Sequence, residues 1–494
     1  MESKKIAFIC TEYGIEDTLP IYAGGLGVLA GDFVIEAGKM GLDFTAVGLF
    51  YNGTSPNPQT AGFTLYPLTL DIFGTTVNVW RKIYGSAKLF LLDAGEATRV
   101  LYGPDQVAMF KQQIILGFGA VKLLKTMNSI PDIWHLNEGH TALTVLALAC
   151  EEKTAYPNSM LIDIIDLIKP KIVATKHTIL SAAGLHLPWE EMSQYLEPII
   201  KEYGITLDEF MPLATHKNNP AYFSTTQLLL SSAIRMNAVS MIHADYERGV
   251  HTNSKLFPIT NGVSPDRWEA KGKTKEDNKA ILFDYLDKNF GLTLNPNVLT
   301  IIWARRLAMY KRPHLLFEDL GRLSKMVNET SHPVQIIVAG KANSADPEGQ
   351  GVAGKIMEDS NLPDLKNKVV FVPEYNLALS KMLVAAADVW LNTPLTGQEA
   401  CGTSGMKAGL NGSLMLSTAD GWMAEPNWDN IGWILTEHGI VENLYNFIET
   451  LIAPLYYDNK TEWQNRMQKT REIVAKNYLS SRMVTDYYKK LYFP

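Results

Sequence analysis

Ile6-Ala7-Phe8-Ile9-Cys10 is a short apolar run, followed at a distance by the loop Ala23-Gly24-Gly25-Leu26-Gly27 and then by a helical pattern from Val28 to Met40 that stops at Gly41. A second apolar run, Phe44–Phe50, comes next. Strand, glycine-rich loop, helix and strand in that order predict a parallel βαβ unit. The glycines let backbone amides approach a ligand closely, and the helix behind adds the positive end of its dipole. A purely structural turn would also read this way, so the loop needs other evidence before it counts as a site.

Working outward, residues 63–92 alternate apolar and polar and are rich in Thr and Val, which predicts antiparallel strands grafted on one side. A long helix is expected from Gln106 to Met127. The strand Asp132-Ile133-Trp134-His135-Leu136 then ends in Asn137-Glu138-Gly139-His140. Another strand, Ile172–Thr175, ends at Lys176-His177-Thr178, and residues 180–235 read as mostly helical. A second series follows Thr260-Asn261-Gly262-Val263-Ser264-Pro265. Its expected strands are Val298–Trp303, Val334–Ala339, Val369–Val372, Val389–Leu391 and Leu414–Ser417. Short buried strands alternating with helices predict parallel sheets. The chain is therefore assigned to the α/β class, with two doubly wound Rossmann-like domains facing each other across a cleft. The expected domains are residues 1–265 and 266–494, with the helical C-terminus, Thr461–Tyr492, crossing back onto the first.

The 494 residues are enough for two or three domains with large cores. At 46% hydrophobic and 20% charged, the composition is that of an ordinary globular enzyme. A net charge of −7 argues against general affinity for nucleic acid or an acidic membrane surface. The three cysteines, Cys10, Cys150 and Cys401, are far apart, so neither a disulfide framework nor a zinc site is indicated, and no metal is expected. The apolar start is broken by Thr11-Glu12-Tyr13, which reads as a first strand and not as a signal peptide. The run Leu143–Cys150 is too short to span a bilayer. A cytoplasmic location is expected.

Two segments of the second series carry chemistry. Residues 397–412 read Gly-Gln-Glu-Ala-Cys-Gly-Thr-Ser-Gly-Met-Lys-Ala-Gly-Leu-Asn-Gly, placing Glu399 before a Gly/Ser/Thr turn and Lys407 on the helix beyond it. Such a turn presents amides to an anion, although a lysine in a glycine-rich turn is also what a solvated loop shows. The run Trp303-Ala304-Arg305-Arg306-Leu307-Ala308-Met309-Tyr310-Lys311-Arg312-Pro313 puts four cations at the end of a buried strand. The planar fork of Arg and the compact charge of Lys both suit phosphate.

Taken together and in this order, these segments resemble the α-glucan (glycogen, starch, maltodextrin) phosphorylases, above all their short bacterial and archaeal type. The resemblance covers most of the chain and implies the GT-B type of glycosyltransferase fold. It also implies pyridoxal 5'-phosphate as cofactor, carried covalently by Lys407, with Trp268 packed beside it and Thr403 and Gly25 in contact. The amides of Gly24, Gly25 and Leu26 would bind the substrate phosphate. Arg306 and Lys311 would hold inorganic phosphate next to the cofactor phosphate, with Arg305 standing in for a family lysine. Glu399, Ala400, Cys401 and Gly402 would hold the transferred glucose. Glu138 and His140 would lie beside the sugar pocket, His177 would touch the glucose, and Asn261 would bind a sugar hydroxyl. Lys311, Arg306 and His177 are the catalytic candidates. Two departures stand out: Ala308 replaces a histidine of the animal enzymes, and Asn376 follows Tyr375 where arginine is common.

The expected reaction is phosphorolysis of α-1,4 links at non-reducing ends, releasing α-glucose 1-phosphate with retention. No carboxylate pair of the kind glycosidases use is evident, so phosphate itself is expected to serve as acid and nucleophile. The expected partners are α-glucan, inorganic phosphate and a possible second copy of the chain. The alternative is a glucan synthase of the same fold that uses a nucleotide sugar. In those transferases a second glutamate usually stands where Lys407 is.

Overall fold

The computed structural model describes residues 4–494 apart from 54, 180–184, 186, 251–255, 343–345 and 374. The chain divides into two compact units. The first contains residues up to Val239, residues 244–259 and residues 484–494; the second contains residues 240–243 and 260–483.

The first unit is built on a nine-stranded sheet. Its strands are β1 (Ile6–Ile9), β2 (Phe44–Leu49), β3 (Thr64–Ile72), β4 (Thr75–Tyr84), β5 (Ala87–Asp93), β6 (Ile133–Asn137), β7 (Ile172–Lys176), β8 (Arg235–Ala238) and β9 (Phe257–Pro258). Their order is β3-β4-β5-β2-β1-β6-β7-β8-β9. β3 and β4 form the antiparallel graft expected from residues 63–92, while β5, β2, β1, β6, β7, β8 and β9 run parallel. Strand order reverses between β1 and β6. In such sheets ligands bind beyond the carboxyl ends at the reversal.

The first helix runs from Gly25 to Lys39, so it starts inside the glycine loop and not at Val28 as the apolar pattern indicated. Gly25 and Leu26 thus lie in the first turn, where amides have no partner within the helix. Phe33 on this helix stacks on Phe8 and Phe44, with centroids 5.1 and 5.3 Å away. The helix Gln106–Thr126 is long and apolar enough to cross a bilayer, but it is a mostly buried core helix. A Cβ on its Gly117 would come within 2.7 Å of the Leu143 backbone, so this helix crosses the helix Leu143–Ala155 in near contact there. Residues 180–184 and 186 of the region expected to be helical lie outside the described residues. The remainder contains the helices Trp189–Lys201, Leu207–Ala214 and Thr225–Ser232. The C-terminal segment packs on this sheet: His135 Nδ1 meets the Tyr492 hydroxyl at 2.7 Å, and Tyr487 lies 3.3 Å from the Thr175 hydroxyl.

The second unit holds six strands, all parallel: β10 (Leu299–Ala304), β11 (Val334–Ala339), β12 (Val369–Val372), β13 (Val389–Asn392), β14 (Leu414–Thr418) and β15 (Trp433–Leu435). The order β12-β11-β10-β13-β14-β15 is that of a dinucleotide-type Rossmann sheet, reversing between β10 and β13. Every residue of β10, β11 and β13 is buried, as expected of a sheet covered on both faces. The expected helix Thr461–Tyr492 is broken: it runs Lys460–Asn477, is interrupted at Tyr478 and Leu479, and resumes at Ser480. Two doubly wound Rossmann-like units in one chain are the parts of the GT-B type fold.

Candidate functional site

In the second unit the loops after β10 and β13, the two strands at the reversal, bring the basic run and Glu399 together. Lys311 Nζ lies 2.9 Å and Arg305 Nη1 3.1 Å from the same carboxylate oxygen of Glu399. All three side chains are buried. Burial alone would raise the pKa of Glu399. Lys311, then Arg305 and Arg306, outweigh it and hold the carboxyl at about 2. The four cations are thus sorted. Arg305 and Lys311 form a buried triad with Glu399, whereas Arg306 is exposed. Arg312 turns away to Glu437 at 2.7 Å and donates to the carbonyls of Thr393 and Pro394. The expectation paired Arg306 with Lys311; the structure puts Arg305 in the buried contact.

The loop that carries Glu399 ends at Gly402, which has a φ of 80° and leads into the helix Thr403–Leu410. Thr403 opens that helix. Ser404 and Lys407 are three residues apart and share a face. Lys407 is buried, and its Nζ lies 3.8 Å from the centroid of the Trp268 ring. Asn411 fixes this pairing, because its amide group donates to the Trp268 carbonyl at 2.7 Å and to the Lys407 carbonyl at 2.9 Å. Its side-chain oxygen accepts from the Ala270 amide. Ala400 receives a bond on its carbonyl from the Ser240 hydroxyl at 2.6 Å, and Cys401 is buried with its thiol pKa pushed up by that burial. Asn261 is also buried, and among the described residues its side-chain oxygen has no hydrogen-bond partner, nor does the Ser404 hydroxyl. Asn376 caps the helix Leu377–Ala386 by accepting from the Leu379 amide, a local role for this residue.

In the first unit the corresponding reversal lies between β1 and β6. Gly24 and Leu26 are half-buried and Gly25 is exposed, and a Cβ on either glycine would meet nothing within 4 Å. Not all of the loop's amides face a ligand, however. Glu12, just beyond β1, accepts from the amides of Ala23 at 2.5 Å and Gly24 at 3.3 Å, and its other oxygen accepts from the Tyr102 hydroxyl at 2.6 Å. The Tyr102 ring lies against the His140 ring, with centroids 5.1 Å apart.

Glu138 has a φ of 78°, a region costly for a residue with a side chain. Its carboxylate accepts from the amides of Gly139 and His177, each at 2.8 Å, and from the Thr178 hydroxyl at 2.9 Å. Burial opposes its ionisation, but His177, His140 and those amides still lower its pKa. Glu138 therefore ties β6 to the end of β7. His177 Nε2 meets Asn137 Oδ1 at 2.7 Å. His140 is kept more weakly basic by burial, against the pull of Glu138.

Three residues in these arrangements escaped the sequence reading: Glu12, Tyr102 and Asn411. Glu12 had a usable signal, since it is a carboxylate just beyond a buried strand. Tyr102 and Asn411 act through side-chain contacts to residues far away in the sequence, Glu12 and Trp268, which no local pattern announces.

Comparison with known proteins bears on the same segments. Residues 239–427 match the family profile described as carbohydrate phosphorylase, and residues 5–191 match that of a starch synthase catalytic domain. A glycogen phosphorylase of Aquifex aeolicus is 30% identical over 99% of this chain and 86% of its own length. A maltodextrin phosphorylase of Thermococcus litoralis is 29% identical over 99% of this chain and 70% of its own. An uncharacterized protein of Methanocaldococcus jannaschii is 28% identical over 99% of this chain and the whole of its own.

Proposed function

Because this chain belongs to the carbohydrate phosphorylase family and is a glycosyltransferase, we propose that it is an α-1,4-glucan phosphorylase. In this reading it transfers a glucosyl unit from the non-reducing end of glycogen, starch or maltodextrin to inorganic phosphate, giving α-glucose 1-phosphate with retained configuration. The observation that carries it is that the second unit holds both Lys407 on the Trp268 face and the buried Arg305–Lys311–Glu399 triad.

These residues fit pyridoxal 5'-phosphate. A buried lysine amine lies on an indole face that suits a flat ring, and the unpartnered Ser404 hydroxyl shares its helix face. The first turn, at Thr403, offers amides to an anion. When bound, the cofactor supplies a phosphate that assists proton transfer at the substrate phosphate. Two phosphates side by side repel, and Lys311 with Arg305 and Arg306 supplies the compensating charge. Glu399, kept ionised, accepts from a glucose hydroxyl, and Asn261 offers its unpartnered oxygen to another. In the first unit, taken by itself, the amides of Gly25 and Leu26 are suited to an anion, and His177, oriented by Asn137 and Glu138, is suited to a sugar hydroxyl.

A second reading is favoured by the starch synthase match over residues 5–191: a glucan synthase that uses a nucleotide sugar. One experiment separates the two. Purified protein is given maltodextrin and inorganic phosphate without nucleotide, and its absorption spectrum is recorded. Release of glucose 1-phosphate, with a cofactor chromophore that survives gel filtration, is the expected result. Elongation of maltodextrin only when ADP- or UDP-glucose is added, with no chromophore, overturns the proposal.

A further inference from the structure

The loop bearing Glu399 has no regular structure of its own between β13 and the helix at Thr403, yet it has to hold one carboxylate against two cations. A loop with two glycines, Gly397 and Gly402, pays a large entropy cost to do so. The restraint comes from the next strand. Just beyond β14, one oxygen of Asp420 accepts three consecutive amides: Gly397 at 3.0 Å, Gln398 at 3.1 Å and Glu399 at 2.8 Å. The other oxygen accepts from the Gly421 amide at 2.9 Å. Asp420 is 1% exposed, so these bonds compete little with water.

The two residues that follow complete the mould. The Trp422 amide donates to the Cys401 carbonyl at 3.1 Å. Gly421 has a φ of 56°, and a Cβ there would sit 2.3 Å from the same carbonyl, so only glycine fits. The Trp422 ring lies against the helix at Gly405, where a Cβ would be 3.1 Å from the ring. Asp420, Gly421 and Trp422 thus touch the loop at its start, at its end and on the helix it feeds.

We propose that Asp420 is a positioning residue for the reaction: it fixes the amides of Gly397–Glu399 and thereby sets the Glu399 carboxylate between Arg305 and Lys311, without itself touching substrate. The inference rests on the phosphorylase reading for its kinetic arm only. In Asp420→Asn one oxygen becomes a donor, so either the three loop amides or the Gly421 amide loses its acceptor. Backbone hydrogen exchange in peptides covering residues 395–406 then accelerates, while thermal unfolding stays cooperative. In cofactor-loaded protein, kcat/KM for maltodextrin falls by roughly 100-fold, the scale of a small misplacement of a binding group.

The decisive measurement is the double variant. If Asp420 works through Glu399, Asp420→Asn combined with Glu399→Gln is no slower than Glu399→Gln alone. Losses that multiply in the double variant, or exchange in 395–406 that matches wild type, overturn the proposal. If Asp420→Asn does not fold, Asp420→Glu keeps the charge and displaces it by one methylene, and the same exchange and coupling measurements apply. A wild-type protein that forms no glucose 1-phosphate removes the phosphorylase reading but leaves the exchange arm to decide the role of Asp420.

Discussion

Lys311 and Glu399 meet at 2.9 Å from loops that follow neighbouring strands, β10 and β13, at the point where strand order reverses. Their contact is the reason a buried lysine and a buried arginine coexist there, since a single carboxylate offsets much of the mutual repulsion of Arg305 and Lys311. If the triad is the phosphate site, Lys311→Ala lowers phosphorolysis by about 100-fold or more at subsaturating phosphate. Arg305→Ala leaves Glu399 with one cation and is expected to cost as much. Arg306, exposed, is expected to cost less when replaced. The three variants, compared by kcat/KM for phosphate in protein of unchanged melting temperature, test that ranking. A larger loss at Arg306 than at Arg305 would return the phosphate contact to Arg306, as the family pattern implies.

Lys407 is held against Trp268 by Asn411, which bonds both carbonyls at once. Lys407→Ala is expected to abolish the cofactor chromophore and activity while the protein remains folded. Asn411→Ala leaves the amine in place but frees the strip bearing Trp268. Its expected phenotype is weaker cofactor retention, read as faster loss of absorbance during dialysis, with partial activity restored by added pyridoxal 5'-phosphate. Full retention in the Asn411 variant would show that Trp268 is fixed by other contacts.

How far the sequence carried this reading depends on the kind of signal. The strands β1, β2, β6, β7 and β10–β14 were legible because they are short and largely apolar, and the graft of β3 and β4 was legible from its alternation; β8, β9 and β15, two to four residues each, are too short to carry such a pattern. The helix start at Gly25 was not, because a helix can begin with glycines whose amides are needed elsewhere, and an apolar pattern begins only with the first buried side chain. The break at Tyr478 and Leu479 was missed for a tertiary reason: Leu479 bridges to Val263 in a short parallel pairing that no local propensity encodes. In the site, the residue types were legible but their assignments were not. Arg305 and Arg306 are adjacent, and only the end of β10 decides which of them points inward. Glu138 reads as a ligand by type, yet its carboxylate is taken up by two amides and a hydroxyl.

Gly38 offers a test of the first unit's packing. On helix propensity alone, Gly38→Ala should stabilise by about 1 kcal/mol. A Cβ at this position would lie 1.8 Å from the Tyr84 carbonyl oxygen, which is backbone and has little room to move. Sterics therefore win, and the variant is expected to lose roughly 3 kcal/mol or to fail to accumulate as folded protein. Thermal unfolding of Gly38→Ala beside a control such as Gly351→Ala, where a Cβ would meet nothing within 4 Å, measures the difference. Equal melting temperatures for the two would mean that the helix Gly25–Lys39 stands further from β4 than the structure shows.

The low pKa of Glu399 makes a pH-dependent prediction whose sign can be worked out. Its folded value, about 2, lies below the ordinary 4.5. The unfolded chain therefore takes up this proton first as the solution is acidified. The stability that the ionised carboxylate contributes is fully present above about pH 4.5 and is lost progressively as pH falls toward 2, amounting to at most about 3 kcal/mol. Glu399→Gln removes the charge at every pH and leaves Arg305 and Lys311 facing each other. Wild type is accordingly expected to be more stable than Glu399→Gln at pH 7, with the gap constant down to about pH 5 and narrowing below it. Asp420 and the other carboxylates titrate in both proteins, so taking the difference largely cancels them. Urea unfolding of the two proteins from pH 3.5 to 7 makes the comparison. A gap that widens as pH falls would mean that Glu399 is not held ionised by Lys311 and Arg305, and with that the electrostatic basis of the site would go.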